Sequence, residues 1–216
     1  MPQIFRPKAN GLAHWVMVGL LLVVVGGTTA GLLLNVSPYN TGQGSVPAQP
    51  VPFSHKHHVG ALGIDCRYCH TSVERSAFAG LPDTRTCMTC HSQLWTNADM
   101  LEPVRRSLKE DKPLVWTRVN DMPDYVYFNH QAHVENGVGC ESCHGRVDEM
   151  PLMRQAKPLT MRWCLDCHRD PGSRLREPDQ ITAFGVSRND EAKSKRLLEK
   201  YDIHTDRMTE CITCHR

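Results

Sequence analysis

The sequence predicts a single N-terminal transmembrane helix followed by a domain of short helices with little sheet, packed around something other than its own side chains. Three observations predict it. Residues 15–34 carry no charge and, at about 1.5 Å per residue, span roughly 30 Å, the thickness of a bilayer's hydrocarbon core. The 216 residues are 40% hydrophobic but only 6% aromatic, which is thin material for a large core. Ten cysteines and twelve histidines stand out, and a chain of this length does not need five disulfides to stay folded, so the thiols are there to hold a cofactor. Charge adds an exclusion: 25 basic against 23 acidic residues leave a formal +2, with no electrostatic footprint of a nucleic-acid binder.

The N-terminal tail and anchor occupy residues 1–34. A secretory signal peptide would use Arg6 and Lys8 as its positive end, Val16–Val25 as its apolar stretch and Thr28–Ala30 as its cleavage site. Leu32, Leu33 and Leu34 carry the apolar run past that site, which favours an anchor. Either way the positive-inside rule leaves Arg6 and Lys8 in the cytoplasm and everything after Asn35 outside it. The expected location is thus the inner membrane, crossed once, with the remaining domain on the periplasmic side. Gly27 and Gly31 form a GxxxG pair that would admit a neighbouring helix in lipid. Residues 35–52, with four prolines and two glycines, read as an extended stalk.

All ten cysteines fall into five copies of one pattern: Cys66, Cys69, His70; Cys87, Cys90, His91; Cys140, Cys143, His144; Cys164, Cys167, His168; and Cys211, Cys214, His215. C-x-x-C-H is the attachment signature of c-type haem. Two thiols on adjacent turns add to the porphyrin vinyl groups, and the histidine that follows is the proximal ligand. Zinc ribbons pair two CxxC units per metal, and five units cannot be paired without remainder. Five covalent haems are therefore expected, with porphyrins as the core of residues 53–216.

Low-spin irons need sixth ligands. Phe53-Ser54-His55-Lys56-His57-His58-Val59 and Phe128-Asn129-His130-Gln131-Ala132-His133-Val134 are two versions of F-x-H-x-x-H-V, 75 residues apart, each followed by two CxxCH motifs. This is an internal duplication of a two-haem unit, residues 53–91 and 128–168, with a fifth haem at 211–215. Histidines at i and i+3 share a helix face but diverge, so they reach two different irons. His57 has Ala132 as its counterpart and reads as a non-ligand. The pattern resembles the multihaem cytochromes c of the cytochrome c3 and c7 type, and that resemblance implies that His55, His58, His130 and His133 are distal ligands. One iron is left over. Met161 or Met150 is the preferred sixth ligand, with Met153, Met208 and His204 as alternatives, and an open site if none binds. A thioether there would raise that haem's potential.

Ordinary secondary-structure signals are few. Asp99–Glu102 looks like a capping box opening a helix with Leu101, Val104 and Leu108 on one side. Val115, Thr117 and Val119 alternate in strand fashion. Residues 170–190, rich in charge, proline and glycine, read as a solvated surface or a partner-facing belt, and residues 191–201 as a polar helix.

Five haems in so few residues make a conductor, with no substrate pocket and no catalytic residues. Anchor, stalk, duplicated unit and terminal fifth motif, with the runs PVPFSHKHHVGALGIDCRYCH and LTMRWCLDCHR, resemble the pentahaem membrane-anchored subunit of alternative complex III. The resemblance implies a complex that oxidises menaquinol in other subunits. Its partners would be quinol-binding membrane subunits, an iron-sulfur/molybdopterin-like subunit and a monohaem cytochrome c, with electrons leaving to a cytochrome c or another periplasmic acceptor. Asn120, in TRVNDMPDY, departs from that family, where histidine is expected, so no ligand is assigned there. Two other classes remain. Membrane-anchored quinol dehydrogenases that feed periplasmic reductases also carry an anchor and several haems, but their first motif lies close to the anchor, whereas Cys66 stands 32 residues beyond Leu34. A multihaem reductase would require an open fifth iron.

Overall fold

The computed structural model describes residues 6–215, and residues 1–5 of the tail and residue 216 lie outside it. The chain forms two compact units, Met1–Gly42 and Gln43–Arg216. In the first, α1 (Pro7–Val36) is a 30-residue helix, about 45 Å long and long and apolar enough to cross a bilayer. The Thr28 hydroxyl donates back to the carbonyls of Val24 at 2.8 Å and Val25 at 3.0 Å, so its polar group is satisfied without water. The helix stops where Ser37 precedes a proline. A four-residue helix, α2 (Pro38–Thr41), follows and closes on Gly42 at φ 70°.

The stalk expected over residues 35–52 is thus partly helical, and its second half belongs to the other unit. The Gly44 N–H donates to Gln155 O at 2.7 Å, the Gln155 N–H returns to Ser45 O at 3.1 Å, and the Gln43 amide donates to Ala156 O at 3.0 Å. Val51 is buried with Leu101 and Val104. Prolines made the segment look free, but the Gly44 N–H, the Ser45 carbonyl, the Gln43 amide and the inward Val51 have partners elsewhere in the chain.

Unit two is helical and, among the described residues, holds only isolated bridges, Val126 to His215 and Val138 to Leu175. No strand forms over residues 115–119. The side chain of Gln49 takes the place of a partner strand, accepting from Thr117 N–H at 3.0 Å and donating to Thr117 O at 2.8 Å. Five helices carry the cysteines: α3 (Cys66–Cys69), α4 (Thr84–His91), α7 (Cys140–His144), α8 (Met161–Arg169) and α10 (Cys211–Cys214). Between them lie α5 (Glu102–Glu110), α6 (His130–Glu135) and α9 (Glu191–Lys200).

The capping box expected at Asp99 is replaced by a 3-10 turn over Asp99–Leu101, and α5 starts with no side-chain cap. Its inward face is Leu101, Val104 and Ser107, while Leu108 is exposed. A buried hydroxyl pair, Ser107 and Thr84 at 2.7 Å, ties α5 to α4.

Residues 170–190 are not a solvated belt: Pro171, Gly172, Leu175, Arg176 and Ile181 are buried. Arg176 supplies the reason. Its guanidinium, 6% exposed, pairs with Glu141 at 3.0 Å and binds the carbonyls of Gln180 and Ala183. A charge pattern that reads as surface here folds inward around one ion pair. Asp190 caps α9 by accepting from Lys193 N–H at 2.8 Å, and Leu197 anchors that helix in the interior. Only eight apolar residues are buried in the described chain: Val51, Val73, Leu101, Val104, Met150, Leu175, Ile181 and Leu197.

Candidate functional site

Each cysteine pair sits on one short helix with its histidine at or just beyond the helix end. Asp65, Asp83 and Thr160 cap three of these helices, accepting from the N–H of Arg67 at 2.8 Å, Arg85 at 2.8 Å and Trp163 at 3.4 Å. The i, i+3 spacing puts both thiols of a pair on one face. All ten are free thiols, and among the described residues no three His, Cys, Asp or Glu side chains converge on one metal ion. Burial pushes the Cys143 thiol up to about 12 and also raises Cys69, Cys87, Cys164 and Cys167.

The histidines are oriented by their Nδ1 atoms. Nδ1–H donates to a backbone carbonyl in seven of them: His58 to Ser54 at 2.9 Å, His70 to Gly80 at 2.7 Å, His91 to Leu94 at 3.1 Å, His130 to Ala77 at 2.8 Å, His133 to Asn129 at 2.7 Å, His168 to Met208 at 2.8 Å and His215 to Tyr125 at 3.2 Å. A carbonyl accepts only, so the proton is on Nδ1 and the Nε2 lone pair is left for a metal. Burial, followed by neighbouring His70 and His58, lowers His55 to about 4. Burial, followed by His130, His70 and His55, lowers His144 to about 4. Burial likewise lowers His58 and His133. All four are neutral imidazoles at neutral pH, as ligands must be.

The rings come in pairs. Centroids lie 6.2 Å apart for His58 and His91, 6.4 Å for His130 and His144, and 6.1 Å for His133 and His168. Two imidazoles bonded at about 2 Å to opposite sides of one metal hold their ring centres roughly 6 Å apart. Of the neighbouring histidines, His70 interacts most strongly with His55. His58, His130 and His133 thus each face the histidine of one CxxCH motif, and His55 neighbours His70: the first histidine of each duplicated pair goes with the motif just downstream, the second with the motif after it. The polypeptide fits c-type haem in a further respect. Tyr68, Phe78, Leu81, Leu94, Trp95, Tyr127 and Ile212 are more than half exposed near the CxxCH segments, which suits flat apolar groups laid against them.

In space the five motifs run second, first, third, fourth, fifth. Cys87 neighbours Cys69, Cys66 neighbours Cys140, Cys143 neighbours Cys167 and Cys164, and Cys164 neighbours Cys214.

For the fifth motif, the His215 ring lies against Tyr125 at 5.7 Å, and Tyr127 N–H donates to Cys214 O at 2.8 Å. Of the candidate sixth ligands, Met150 is fully buried beside Gly145 of the third motif. Met161 is 62% exposed at the start of α8, the helix whose Cys164 neighbours Cys214. Met208 uses its carbonyl on His168. His204 is exposed and pairs with Asp202 at 3.2 Å. His57 stacks on Trp95 at 5.8 Å and meets His58 edge-on at 5.3 Å.

Two kinds of residue escape sequence reasoning. Phe53 stacks on His58 at 4.3 Å and meets His55 edge-on at 4.9 Å; Phe128 does the same to His133 at 4.5 Å and His130 at 4.7 Å. The repeated phenylalanine was the available signal. Asn120 lies 3.1 Å from His144 Nδ1, which nothing in its local sequence announces.

Comparisons with known proteins agree with this geometry. The model of cytochrome c7 and related cytochrome c matches residues 126–216, and that of the class III cytochrome c family matches residues 35–113. The chain is 32% identical over 168 residues to the menaquinone reductase, multihaem cytochrome c subunit, of Nitratidesulfovibrio vulgaris, a match spanning 77% of this chain and 67% of that protein.

Proposed function

The chain belongs to the multihaem cytochrome c family that includes the menaquinone reductase subunit, and from that premise we propose that it is the electron relay of a membrane quinone-linked complex. Its c-type haems, five by motif count, each supply a one-electron iron couple tuned by axial ligand and burial. The ten cysteines hold them covalently, His70, His91, His144, His168 and His215 serve as proximal ligands, and His55, His58, His130 and His133 as distal ones. Met161, next to the fourth motif's cysteines and on the helix that adjoins the fifth, is the preferred sixth ligand for His215's iron. The unbroken succession of cysteine pairs from Cys87 to Cys214 carries this reading, since no motif is isolated from its neighbours.

Helix α1 anchors the chain in the inner membrane with the second unit in the periplasm. The direction of flow we favour is from menaquinol, oxidised in partner subunits as in alternative complex III, through this chain to a monohaem cytochrome c and a periplasmic acceptor. In the purified complex, menaquinol should reduce all five haems, while the chain purified alone should stay oxidised in the same quinol. A lone chain that takes electrons from quinol would instead be a quinol dehydrogenase. The relative's name, menaquinone reductase, supports a second reading with flow reversed. Menaquinone reduction by a complex fed from a reduced periplasmic cytochrome, with no haem reduction by menaquinol, would select it. Ligand field tests the sites: replacing His130 with Ala should turn one iron of five high-spin while its thioethers keep the haem attached, and an unchanged spectrum would remove the distal assignment.

A further inference from the structure

We propose that Asn120 is the positioning residue of His144, its side-chain carbonyl accepting the Nδ1–H and holding the ring with Nε2 free toward iron. The inference rests on the reading that the third motif carries a haem. His144 is the innermost of the histidines, surrounded by His130, His70 and His55, and Asn120 is its Nδ1 partner at 3.1 Å. Seven other histidines meet a backbone carbonyl at this atom. His144 alone among them meets a side-chain amide.

The orientation of that amide decides its role. With Nδ2 toward the ring, as assigned, the amide N–H would need the Nδ1 lone pair, and the imidazole proton would sit on Nε2, where it blocks a metal. Amide oxygen and nitrogen are assigned from the network around them. Turning the group by half a revolution gives Oδ1 the Nδ1–H and gives His144 the tautomer that its seven counterparts have. An acceptor at Nδ1 makes the imidazole a stronger donor at Nε2, which favours the oxidised iron and lowers that haem's potential. In this motif the acceptor is a side chain, so substitution can remove it without touching the backbone.

Asn120→Leu, with the same branching but larger and lacking the acceptor, should raise the potential of one haem by roughly a tenfold change in its reduction equilibrium, about 59 mV for one electron. Asn120→Asp, with a stronger acceptor, should move the same haem the other way. The readout is spectroelectrochemical titration of the complete complex, with haem content counted and the low-spin resonance signal of each haem followed. Opposite shifts in one haem with five haems retained support the proposal. Five haems with unchanged potentials in Asn120→Asp overturn it, even if Asn120→Leu fails to fold. A wild-type complex with no haem at Cys140 and Cys143 overturns the reading of the site itself, a different failure.

Discussion

The opening segments of the two duplicated units, residues 53–69 and 128–143, place their histidines almost identically by different helices. Phe53 and Phe128 hold the same stacked and edge-on contacts to within 0.2 Å. The later histidine of each pair, His58 or His133, donates Nδ1–H to the carbonyl four residues back. Yet the first copy is a π-helical turn over Lys56–Ala61 and the second is the α-helix α6. The reason is one residue: Cys66 follows His58 by eight positions and Cys140 follows His133 by seven. A π-turn is how a helix absorbs one inserted residue. The loop then closes identically, with Ile64 N–H donating to His58 O at 3.0 Å and Val138 N–H to His133 O at 2.9 Å. Gly63 and Gly137, each three residues before its cysteine, take φ of 67° and 82° there, which only glycine adopts without strain. Ligand geometry is held fixed while the backbone between the ligands adjusts.

The copies differ in what surrounds them, and that difference can be tested. The sharpest contrast is between the third motif, enclosed at the centre, and the fifth, at the end of the succession. Replacing Cys140 and Cys143 with Ala should remove one haem and the compact fold with it, because every neighbouring motif packs there. Replacing Cys211 and Cys214 should remove one haem and leave a compact protein with four. Haem content and sedimentation would check both, and equal outcomes would erase the contrast.

Next in size is the residue that follows each motif's first cysteine. In the second copy Glu141 meets buried Arg176; in the first, Arg67 meets Asp65 with both side chains at least 40% exposed. Losing one partner of a buried pair costs about 3–5 kcal/mol, while exposed pairs contribute about 0–1. Arg176→Ala should therefore lower the thermal midpoint severely and Arg67→Ala hardly at all. Similar midpoints would mean that the clamp around the third motif carries no weight.

The multihaem class and the duplication were legible because covalent chemistry demands cysteine, cysteine and histidine at fixed spacing, and because a repeated F-x-H-x-x-H is rare without a shared role. Short helices beside the motifs followed from the same spacing. What stayed hidden depends on partners far away in the chain. Arg176 finds Glu141 35 residues off, so a charged segment that reads as surface turns inward. Gln49 finds Thr117 across 68 residues, so an alternating run that reads as strand has a side chain as its partner. Nor does chain order reveal spatial order: the first motif lies between the second and the third, Cys69 beside Cys87 and Cys66 beside Cys140.

A smaller effect separates Gly60 from its counterpart Glu135. A Cβ on Gly60 would run into the carbonyl oxygen of Asp148, where the π-turn packs on the 3-10 turn Val147–Glu149. Glu135 is exposed. Gly60→Ala should cost about 1–3 kcal/mol by overpacking and broaden the spectrum of the haem served by His58, whereas Glu135→Ala should leave midpoint and spectrum alone.

The smallest expected effect falls on the position where the copies differ most in chemistry, His57 against Ala132. His57 stands between two ligating histidines and is itself an imidazole, so composition offers no reason to exclude it. Geometry does: its ring lies on Trp95 at 5.8 Å and 30° and meets His58 only edge-on, while His58 faces His91. His57→Ala gives the first copy the residue the second already has. It should leave all five irons low-spin and cost only the stacking contact, about 0.5–1.5 kcal/mol at most. A high-spin signal in that variant would mean that His57, rather than His58, reaches an iron, and the one-residue difference between the copies would then have shifted a ligand instead of being taken up by the π-turn.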